Sequence, residues 1–311
     1  MTERQERQST VLLVHHAANG GHLCPPNSVR GLQACLETGA RAIEMDISPL
    51  ADGNFSLLHG PLLEEGTNGS GPIAAHTTDE VGHLRLTRQD VVTDEPVGVL
   101  SQALELVNRN PHAIELQLDL KPHSALSGWV LSRFVSALQP VKDRVRVTSV
   151  ADWLLRRLHH LDPELPLGFD PMLYLDLEQS AGSSEVGERE PTLPPFRLGG
   201  YGYWDDHPLA TRRWGDTASY LAARAEALWI QAPVGVIWYI RAALLDQALE
   251  DGFDWIAYLH GRGAKVDAWT LNPSRPEHIA LARRLVAADV DRITTDAAPA
   301  WAGILGADVS F

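Results

Sequence analysis

The sequence predicts an α/β protein with the fold of a TIM (β/α)8 barrel, and three observations carry this prediction. Short apolar runs alternate with longer amphipathic segments, which gives about eight strand–helix units. Such alternation produces parallel strands joined by right-handed crossovers. The length of 311 residues suits one barrel, which usually takes about 250 residues or more. An open doubly wound sheet is the alternative, but no glycine-rich dinucleotide loop follows the first apolar run.

The first half of the chain has the clearest elements. Residues 28–38 are a predicted helix, because apolar residues recur at helical spacing from Val29 to Leu36 and Gly39 follows them. Asp52-Gly53 predicts a hairpin turn. Further helices are predicted at residues 100–107, at residues 126–138 and in a segment that ends at residue 158. Short apolar runs predict strands at residues 11–14, 41–47, 55–58, 113–120, 145–149 and 165–169.

Two segments interrupt the alternation and predict insertions into one domain that spans residues 1–311. Residues 60–96 have little periodicity and predict a long loop that forms a small insertion after the second strand. Residues 179–216 are rich in glycine, proline, serine and charge, and they predict a long loop insertion that is a candidate lid. The remaining predicted elements are strands at 227–232, 265–271 and 292–295, helices that end at 249 and 260, and a helix at 276–287.

The charge balance limits the partners. The chain has 26 basic and 40 acidic side chains, a net charge of −14. A nucleic-acid or anionic-membrane partner needs a basic surface, so neither is expected. No apolar window is long enough for a membrane span and the polar N-terminus is not a signal peptide, so we expect a cytoplasmic protein without a stable membrane anchor. An acidic protein can still bind a phosphate where a metal cation supplies local positive charge.

The second predicted strand contains two carboxylates, Glu44 and Asp46, that share one face. Apolar residues cover the other face, so the carboxylates point inward at the end of a buried strand. Because two such charges repel, something must neutralise them, and a divalent cation with oxygen ligands does so. A solvated strand end or a pair of salt bridges would explain the same pattern.

The strand at residues 113–120 has a wholly polar face on which Glu115, Gln117, Asp119 and Lys121 alternate with apolar residues. In a parallel barrel, this face must point inward toward a wet site. Asp119 and Lys121 are nearest the carboxyl end, where barrel active sites are built, so they are the better site candidates. Glu115 and Gln117 lie deeper and are predicted to be structural.

Histidines and a tryptophan complete the candidate site. His15 and His16 end the first strand, and His59 follows the short apolar run after Asp46. Histidine suits general acid–base chemistry near neutral pH, although a surface role is the ordinary alternative for each. Trp269 is near the end of a later strand, where it either walls the site or packs in the core.

In this order, these segments resemble the glycerophosphodiester phosphodiesterase family. The Glu-x-Asp pair, the histidine thirteen residues after that aspartate, the acid-x-Lys strand and the Trp-Thr-x-Asn strand are jointly specific. The resemblance covers roughly residues 11–300 and implies a TIM barrel with a small insertion after strand 2. The roles that it implies are Glu44, Asp46 and Asp119 as ligands of Mg²⁺ or Ca²⁺, His15 and His59 as general acid and base, and His16, Lys121 and Trp269 as substrate contacts.

The chain departs from the family pattern at its first two motifs. The family's His-Arg-Gly reads His15-His16-Ala17, so the phosphate-contacting arginine is replaced by His16, which is also the less favoured alternative to His15 as the catalytic histidine. The glutamate of Pro-Glu-Asn-Thr is replaced by Pro26, and the third-strand carboxylate is Asp119 and not the commoner glutamate. Joint loss of the arginine and the glutamate indicates altered substrate choice or weaker phosphate binding.

The working hypothesis is metal-dependent hydrolysis of glycerophosphodiesters to an alcohol and glycerol phosphate. The partner is then a small-molecule phosphodiester, while the pattern leaves the oligomeric state open. One alternative is a lysophospholipase D or sphingomyelinase D-like phosphodiesterase. Another is a catalytically weak phosphate- or metal-binding barrel, because the arginine and glutamate of the family pattern are missing.

Overall fold

The computed structural model describes residues 10–19, 24–110, 112, 114–121, 125–177, 216–306 and 309–310. Most of the predicted insertion at 179–216 therefore lies outside the described residues. The strands within these ranges are β1 (Val11–His15), β2 (Ala42–Pro49), β3 (Phe55–Ser56), β4 (Arg85–Arg88), β5 (Val91–Pro96), β6 (Glu115–Leu120), β7 (Val145–Ser149), β8 (Leu167–Phe169), β9 (Ile237–Arg241), β10 (Lys265–Leu271), β11 (Arg292–Thr295) and β12 (Val309–Ser310).

Helices separate most of these strands. None of those in the described ranges is both long enough and apolar enough to cross a bilayer. The helices are α1 (Val29–Glu37), α2 (Thr78–Gly82), α3 (Leu100–Arg109), α4 (Gly128–Leu138), α5 (Asp152–Leu161), α6 (Thr217–Gln231), α7 (Ala242–Glu250), α8 (Trp255–His260), α9 (Pro276–Ala287) and α10 (Ala298–Leu305).

Eight parallel strands close into a barrel, which confirms the predicted fold. Their order around the barrel is β1, β2, β6, β7, β8, β9, β10 and β11, and β1 pairs with both β2 and β11 to complete the ring. β3 lies antiparallel to the end of β2, and β12 pairs with β1. All eight carboxyl ends therefore meet at one rim.

Each barrel strand has an apolar face that packs against the helices and a second face that points to the barrel axis. In β2, Ile43, Met45 and Ile47 are fully buried in the main hydrophobic core. The alternate residues Glu44 and Asp46 line a cavity inside the barrel. The two-residue period of an extended chain therefore separates the core from the interior polar groups.

The strand predicted at residues 227–232 is wrong, because these residues form the end of α6 and the following residue. Asp216 caps this helix by accepting a hydrogen bond from the Ser219 N–H at 2.8 Å, and Tyr220 and Leu228 are among its buried residues. The barrel strand is β9, which begins at Ile237 and is almost entirely buried. A short apolar run suits a buried helical turn as well as a strand, and here tertiary packing selects the helix.

The insertion at residues 60–96 contains regular structure and is not a long irregular loop as predicted. It contains α2 and the antiparallel hairpin of β4 and β5. A separate small core stabilises it, formed by buried apolar residues of the insertion and its flanks. These residues are Leu50, Leu58, Leu63, Ile73, Val81, Leu86 and Val97.

Candidate active site

A cavity of about 340 Å³ opens among the carboxyl-terminal ends of the barrel strands. It brings together seven of the eight residues singled out as site candidates, all except His15. Its lining residues are His16, Glu44, Asp46, His59, Gln117, Asp119, Lys121, Thr148, Val150, Asp170, Met172, Tyr239, Trp269, Thr270 and Thr294.

Three carboxylates on neighbouring strands form a candidate metal-binding cluster. Asp46 of β2 pairs in register with Asp119 of β6, so their side chains point the same way. Glu44 precedes Asp46 by two residues on the same face of β2 and lies deeper in the barrel. One ligand oxygen from each of the three residues lies within 4.8 Å of the other two. This spacing and the all-oxygen donors could hold a hard divalent cation.

Backbone and amide groups orient the two β2 carboxylates. The Ala17 N–H donates to Glu44 Oε2 at 2.7 Å. Asn27 Nδ2 donates to Asp46 Oδ2 at 2.7 Å, and Asn27 Oδ1 accepts from the Asp46 N–H at 2.9 Å. Asn27 therefore grips Asp46 at both its backbone and its side chain. The sequence contained a signal for this contact, because Asn27 is in the segment similar to the family's Pro-Glu-Asn-Thr, but it was assigned no role.

The cluster has more negative charge than the surrounding protein compensates. Burial and the nearby charge of Asp46 raise the pKa of Glu44 to about 8. The Lys121 ammonium lies 2.8 Å from Asp46 Oδ1 and 2.5 Å from Asp119 Oδ2. Burial opposes ionisation of Asp46, but Lys121 holds the pKa of Asp46 below its usual value. The raised pKa of Glu44 therefore fits a site that receives further positive charge from a bound cation.

The two adjacent histidines where the first strand ends have different surroundings. His16 lines the cavity, and its Nδ1 lies 2.8 Å from Asp296 Oδ1. Burial alone would lower the pKa of His16, but the hydrogen bond to Asp296 and the charge of Glu44 raise it to about 9. His16 is therefore protonated at neutral pH, and its ring offers a hydrogen-bond donor beside the carboxylate cluster.

His15 does not reach the cavity. Its Nδ1 lies 3.8 Å from the Cys35 Sγ of α1, so the ring faces the helical layer. Burial lowers the pKa of His15 to about 4. The physical reason is strand register, because His15 pairs with buried Thr295 whereas Val14 pairs with Thr294, which lines the cavity. His16 therefore lines the cavity and His15 does not, whereas the sequence predicted His15 as the catalytic histidine.

A strained turn follows His16. Ala17 and Ala18 have φ values of 49° and 44°, in the left-handed region that favours glycine. Each costs on the order of 1–3 kcal/mol and persists only where the surroundings hold it. The turn presents the Ala17 N–H to Glu44. If the histidine of His-Arg-Gly is placed at His16, the arginine position falls on Ala17 and the glycine position on Ala18.

The other candidates surround the same cluster. His59 lines the cavity beyond β3 and is exposed to solvent. Trp269 lines the cavity from β10, and its Nε1 is buried without a hydrogen-bond partner in the described part of the chain. Sequence reasoning missed Asp170, Thr148 and Asp296. Each is at the end of a barrel strand, which was the available signal.

Comparison with known proteins places the chain among related phosphodiesterases. The model of the glycerophosphoryl diester phosphodiesterase family matches residues 15–170, half of the chain. A glycerophosphodiester phosphodiesterase of Caldanaerobacter subterraneus subsp. tengcongensis is 22% identical over 162 residues, which are 51% of this chain and 65% of that protein. The matched part of that relative is thus less than two thirds of its length.

Solved structures show the same fold over nearly the whole chain. A protein of Silicibacter pomeroyi DSS-3, described as a glycerophosphoryl diester phosphodiesterase, has a TM-score of 0.68 at 22% identity and covers 97% of this chain and 95% of its own. An Oleispira antarctica phosphodiesterase in complex with the product sn-glycerol-3-phosphate has a TM-score of 0.59 at 18% identity. The match covers 95% of this chain and 96% of the Oleispira antarctica chain. By its family-model match and its barrel, the chain belongs to the glycerophosphoryl diester phosphodiesterase family.

Proposed function

We propose that this protein hydrolyses glycerophosphodiesters to an alcohol and glycerol phosphate in a metal-dependent reaction with histidine general acid–base catalysis. The observation that carries the proposal is one cavity that contains three clustered carboxylates, a lysine and two histidines. Family membership supports it, as does the glycerol phosphate product bound to the structurally similar Oleispira antarctica protein.

Glu44, Asp46 and Asp119 are the residues that would hold the metal, because their oxygens converge and the charge of Glu44 lacks compensation. Carboxylate oxygens suit Mg²⁺ or Ca²⁺. When bound, such a cation supplies positive charge that offsets the phosphate oxygens. Lys121 lies beside the same carboxylates, so its ammonium is available to a phosphate bound there.

We assign the general acid to His16 and the general base to His59. His16 holds a proton at neutral pH, and its hydrogen bond to Asp296 through Nδ1 leaves Nε2 as the donor atom. His59 takes the proton of the attacking hydroxyl, which belongs to water or to the neighbouring glycerol. The bond from phosphorus to the leaving oxygen breaks, and that oxygen receives the proton from His16 Nε2. A neighbouring glycerol hydroxyl would gain from proximity, because it is already held beside phosphorus. Its attack would release the alcohol and leave a cyclic glycerol phosphate, which a water molecule would then open to glycerol phosphate.

An assay of glycerophosphocholine and lysophospholipids with Mg²⁺, Ca²⁺ or Mn²⁺ tests the proposal. We expect metal-dependent release of glycerol phosphate from glycerophosphocholine. Cleavage of the lysolipids alone would indicate a lysophospholipase D-like activity instead. Retained metal binding without turnover of any diester would refute the proposal and favour a binding module.

Single substitutions at the adjacent histidines test which one acts. His16→Ala and His59→Ala should each lower kcat by about 100-fold or more, the usual contribution of a general acid or base. His15→Ala is the matched control, because it removes an imidazole ring at the neighbouring position. That ring contacts Cys35 and lies outside the cavity. A large loss of kcat in the His15 variant, with normal folding and an active His16 variant, would reverse the assignment.

A further inference from the structure

A second cavity lies in the outer helical layer, between α3 and α4. It has a volume of about 670 Å³ and is bordered by the turn that joins β2 to β3. Among the described residues, it shares no lining residue with the candidate active site. We call this cavity the helix groove. Its size is that of a site for a small organic molecule, which usually takes about 300–1,000 Å³.

The floor of the helix groove is apolar. It is formed by side chains of β3, α3, α4 and the turn after α4 that also belong to the main hydrophobic core. These residues are Phe55, Leu100, Leu104, Phe134 and Val141. The ring centroids of Phe55 and Phe134 lie 4.9 Å apart. An apolar group that covers this floor is favoured in proportion to the area that it removes from water.

Trp129 of α4 forms an exposed aromatic wall of the groove. The residue is 60% exposed, although tryptophan is highly buried on average. Its ring packs on the backbone of Gly53, where a Cβ would lie 2.6 Å from Trp129 Cζ3. Gly53 has a φ of 77°, in the left-handed region that favours glycine. The glycine of this turn therefore leaves room for the exposed ring.

Arg133 provides positive charge beside this wall. Its guanidinium carbon lies 4.8 Å from the centroid of the Trp129 ring. The guanidinium donates hydrogen bonds to two uncharged oxygens, the Asp52 carbonyl at 3.3 Å and Asn54 Oδ1 at 3.2 Å. No carboxylate forms a salt bridge with Arg133 in the part of the chain that the structure describes. The exposed guanidinium therefore has positive charge available to an anionic ligand.

Two acidic residues lie at the groove, and both have other partners. Glu105 lines the groove but forms a salt bridge with Arg109, one turn further along α3. The Asp52 carboxylate accepts hydrogen bonds from the Asn54 N–H at 3.1 Å and from the Thr78 N–H at 3.0 Å. These two negative charges limit the further negative charge that the groove can hold. A singly charged carboxylate therefore suits it better than a doubly charged phosphate monoester.

We propose that the helix groove binds the anion of an aliphatic carboxylic acid, such as a single-chain fatty acid. The alkyl chain covers the apolar floor, and the carboxylate binds the guanidinium of Arg133 beside the Trp129 ring. A planar guanidinium matches a carboxylate, because it can donate two parallel hydrogen bonds to it. A neutral alkane would leave Arg133 unused, and a small anion would leave the floor uncovered. The site is independent of the proposed function, since none of the candidate catalytic residues lines the groove.

Calorimetric titration with octanoate and octan-1-ol tests the inference, because the two ligands have the same chain length and differ in charge. Octanoate should bind about fivefold more tightly than octan-1-ol, which is the upper end of what an exposed ion pair contributes. Arg133→Gln should make the two affinities equal, and Arg133→Lys, which keeps the charge, should retain part of the difference. Arg262→Gln is the matched control and should leave the difference unchanged, since Arg262 also lies over an aromatic ring, that of Tyr258, but pairs with Glu226. Equal binding of the two ligands by the wild type, or an unchanged difference in Arg133→Gln, would overturn the inference.

A second variant tests where the ligand binds. Ala137 is an exposed residue of α4 that lines the groove, so the larger side chain of Ala137→Trp should fill the groove from its solvent side. This variant should bind octanoate about tenfold more weakly or worse, because the alkyl chain loses the apolar floor. Octanoate binding that survives Ala137→Trp would mean that the ligand binds elsewhere, which overturns the inference. A wild-type dimer that Arg133→Gln dissociates, measured by sedimentation, would also overturn it, because a second copy of the chain would then be the occupant.

Discussion

Replacement of Glu115 by glutamine tests whether the charged layer at the base of the barrel is structural. Glu115 Oε2 accepts from Arg146 Nη2 at 3.0 Å and from Arg292 Nη2 at 3.3 Å, and Oε1 binds both guanidinium groups as well. All three side chains are largely buried, with 23% or less of each exposed. The substitution keeps the shape of the side chain and removes the only negative charge of this triad.

The expected loss of stability follows from the pKa of Glu115. Burial alone would raise this pKa, but the hydrogen bond and charge of Arg292 and the charge of Arg146 lower it to about 2, from its usual 4.5. At 1.36 kcal/mol per pKa unit, ionised Glu115 contributes about 3 kcal/mol to the free energy of unfolding. Because the folded-state pKa is the lower one, this contribution is complete above pH 4.5 and disappears as the pH falls through about 2.

Urea unfolding at pH 7 and at stepwise lower pH measures the effect. Glu115→Gln should lower the free energy of unfolding by about 3 kcal/mol at pH 7, and the difference from wild type should shrink below pH 4.5. Glu105→Gln is the matched control, since it removes an exposed partner of Arg109 and should cost less than about 1 kcal/mol. A loss below about 1 kcal/mol in Glu115→Gln, or a difference that does not change with pH, would refute the reasoning.

Three further predictions concern the metal cluster, the barrel interior and the insertion. Asp119→Asn should weaken binding of Mg²⁺ or Ca²⁺, measured by calorimetry, on the order of 100-fold, and unchanged affinity would exclude Asp119 as a ligand. Gly168→Ala should lower the free energy of unfolding by about 1–3 kcal/mol, because its Cβ would lie 2.3 Å from the Tyr239 ring; wild-type stability would contradict this clash. Leu86→Ala should destabilise the small core of the insertion by about 2–5 kcal/mol, seen as faster hydrogen exchange in β4 and β5, and unchanged exchange would mean that this core does not stabilise the hairpin.

The sequence predicted the barrel strands best where polar and apolar residues alternate. The polar face of β6 and the Glu44–Asp46 pair of β2 were located correctly because a two-residue period needs no knowledge of distant partners. The strand predicted at 227–232 was wrong because a short apolar run lacks that period. The regular structure of the insertion was not predicted, because its strands and helix have only four to six residues each. Elements this short show no clear periodicity, and packing in the small core stabilises them.

The sequence by itself determined the alternation of strands and helices, and from it the TIM barrel and the carboxylates, histidine and lysine that meet at its rim. Only the tertiary structure decided that His16 and not His15 enters the cavity. His15 ends β1 and His16 directly follows it, and the register of β1 against β11 sets which of the two side chains points inward. The residues paired in this register are 280 positions apart in the sequence. The same register brings Asp296 to His16, and the closure of the barrel brings Asp170 into the lining of the same cavity as the carboxylate cluster. Such contacts depend on long-range strand pairing, so no local pattern could reveal them.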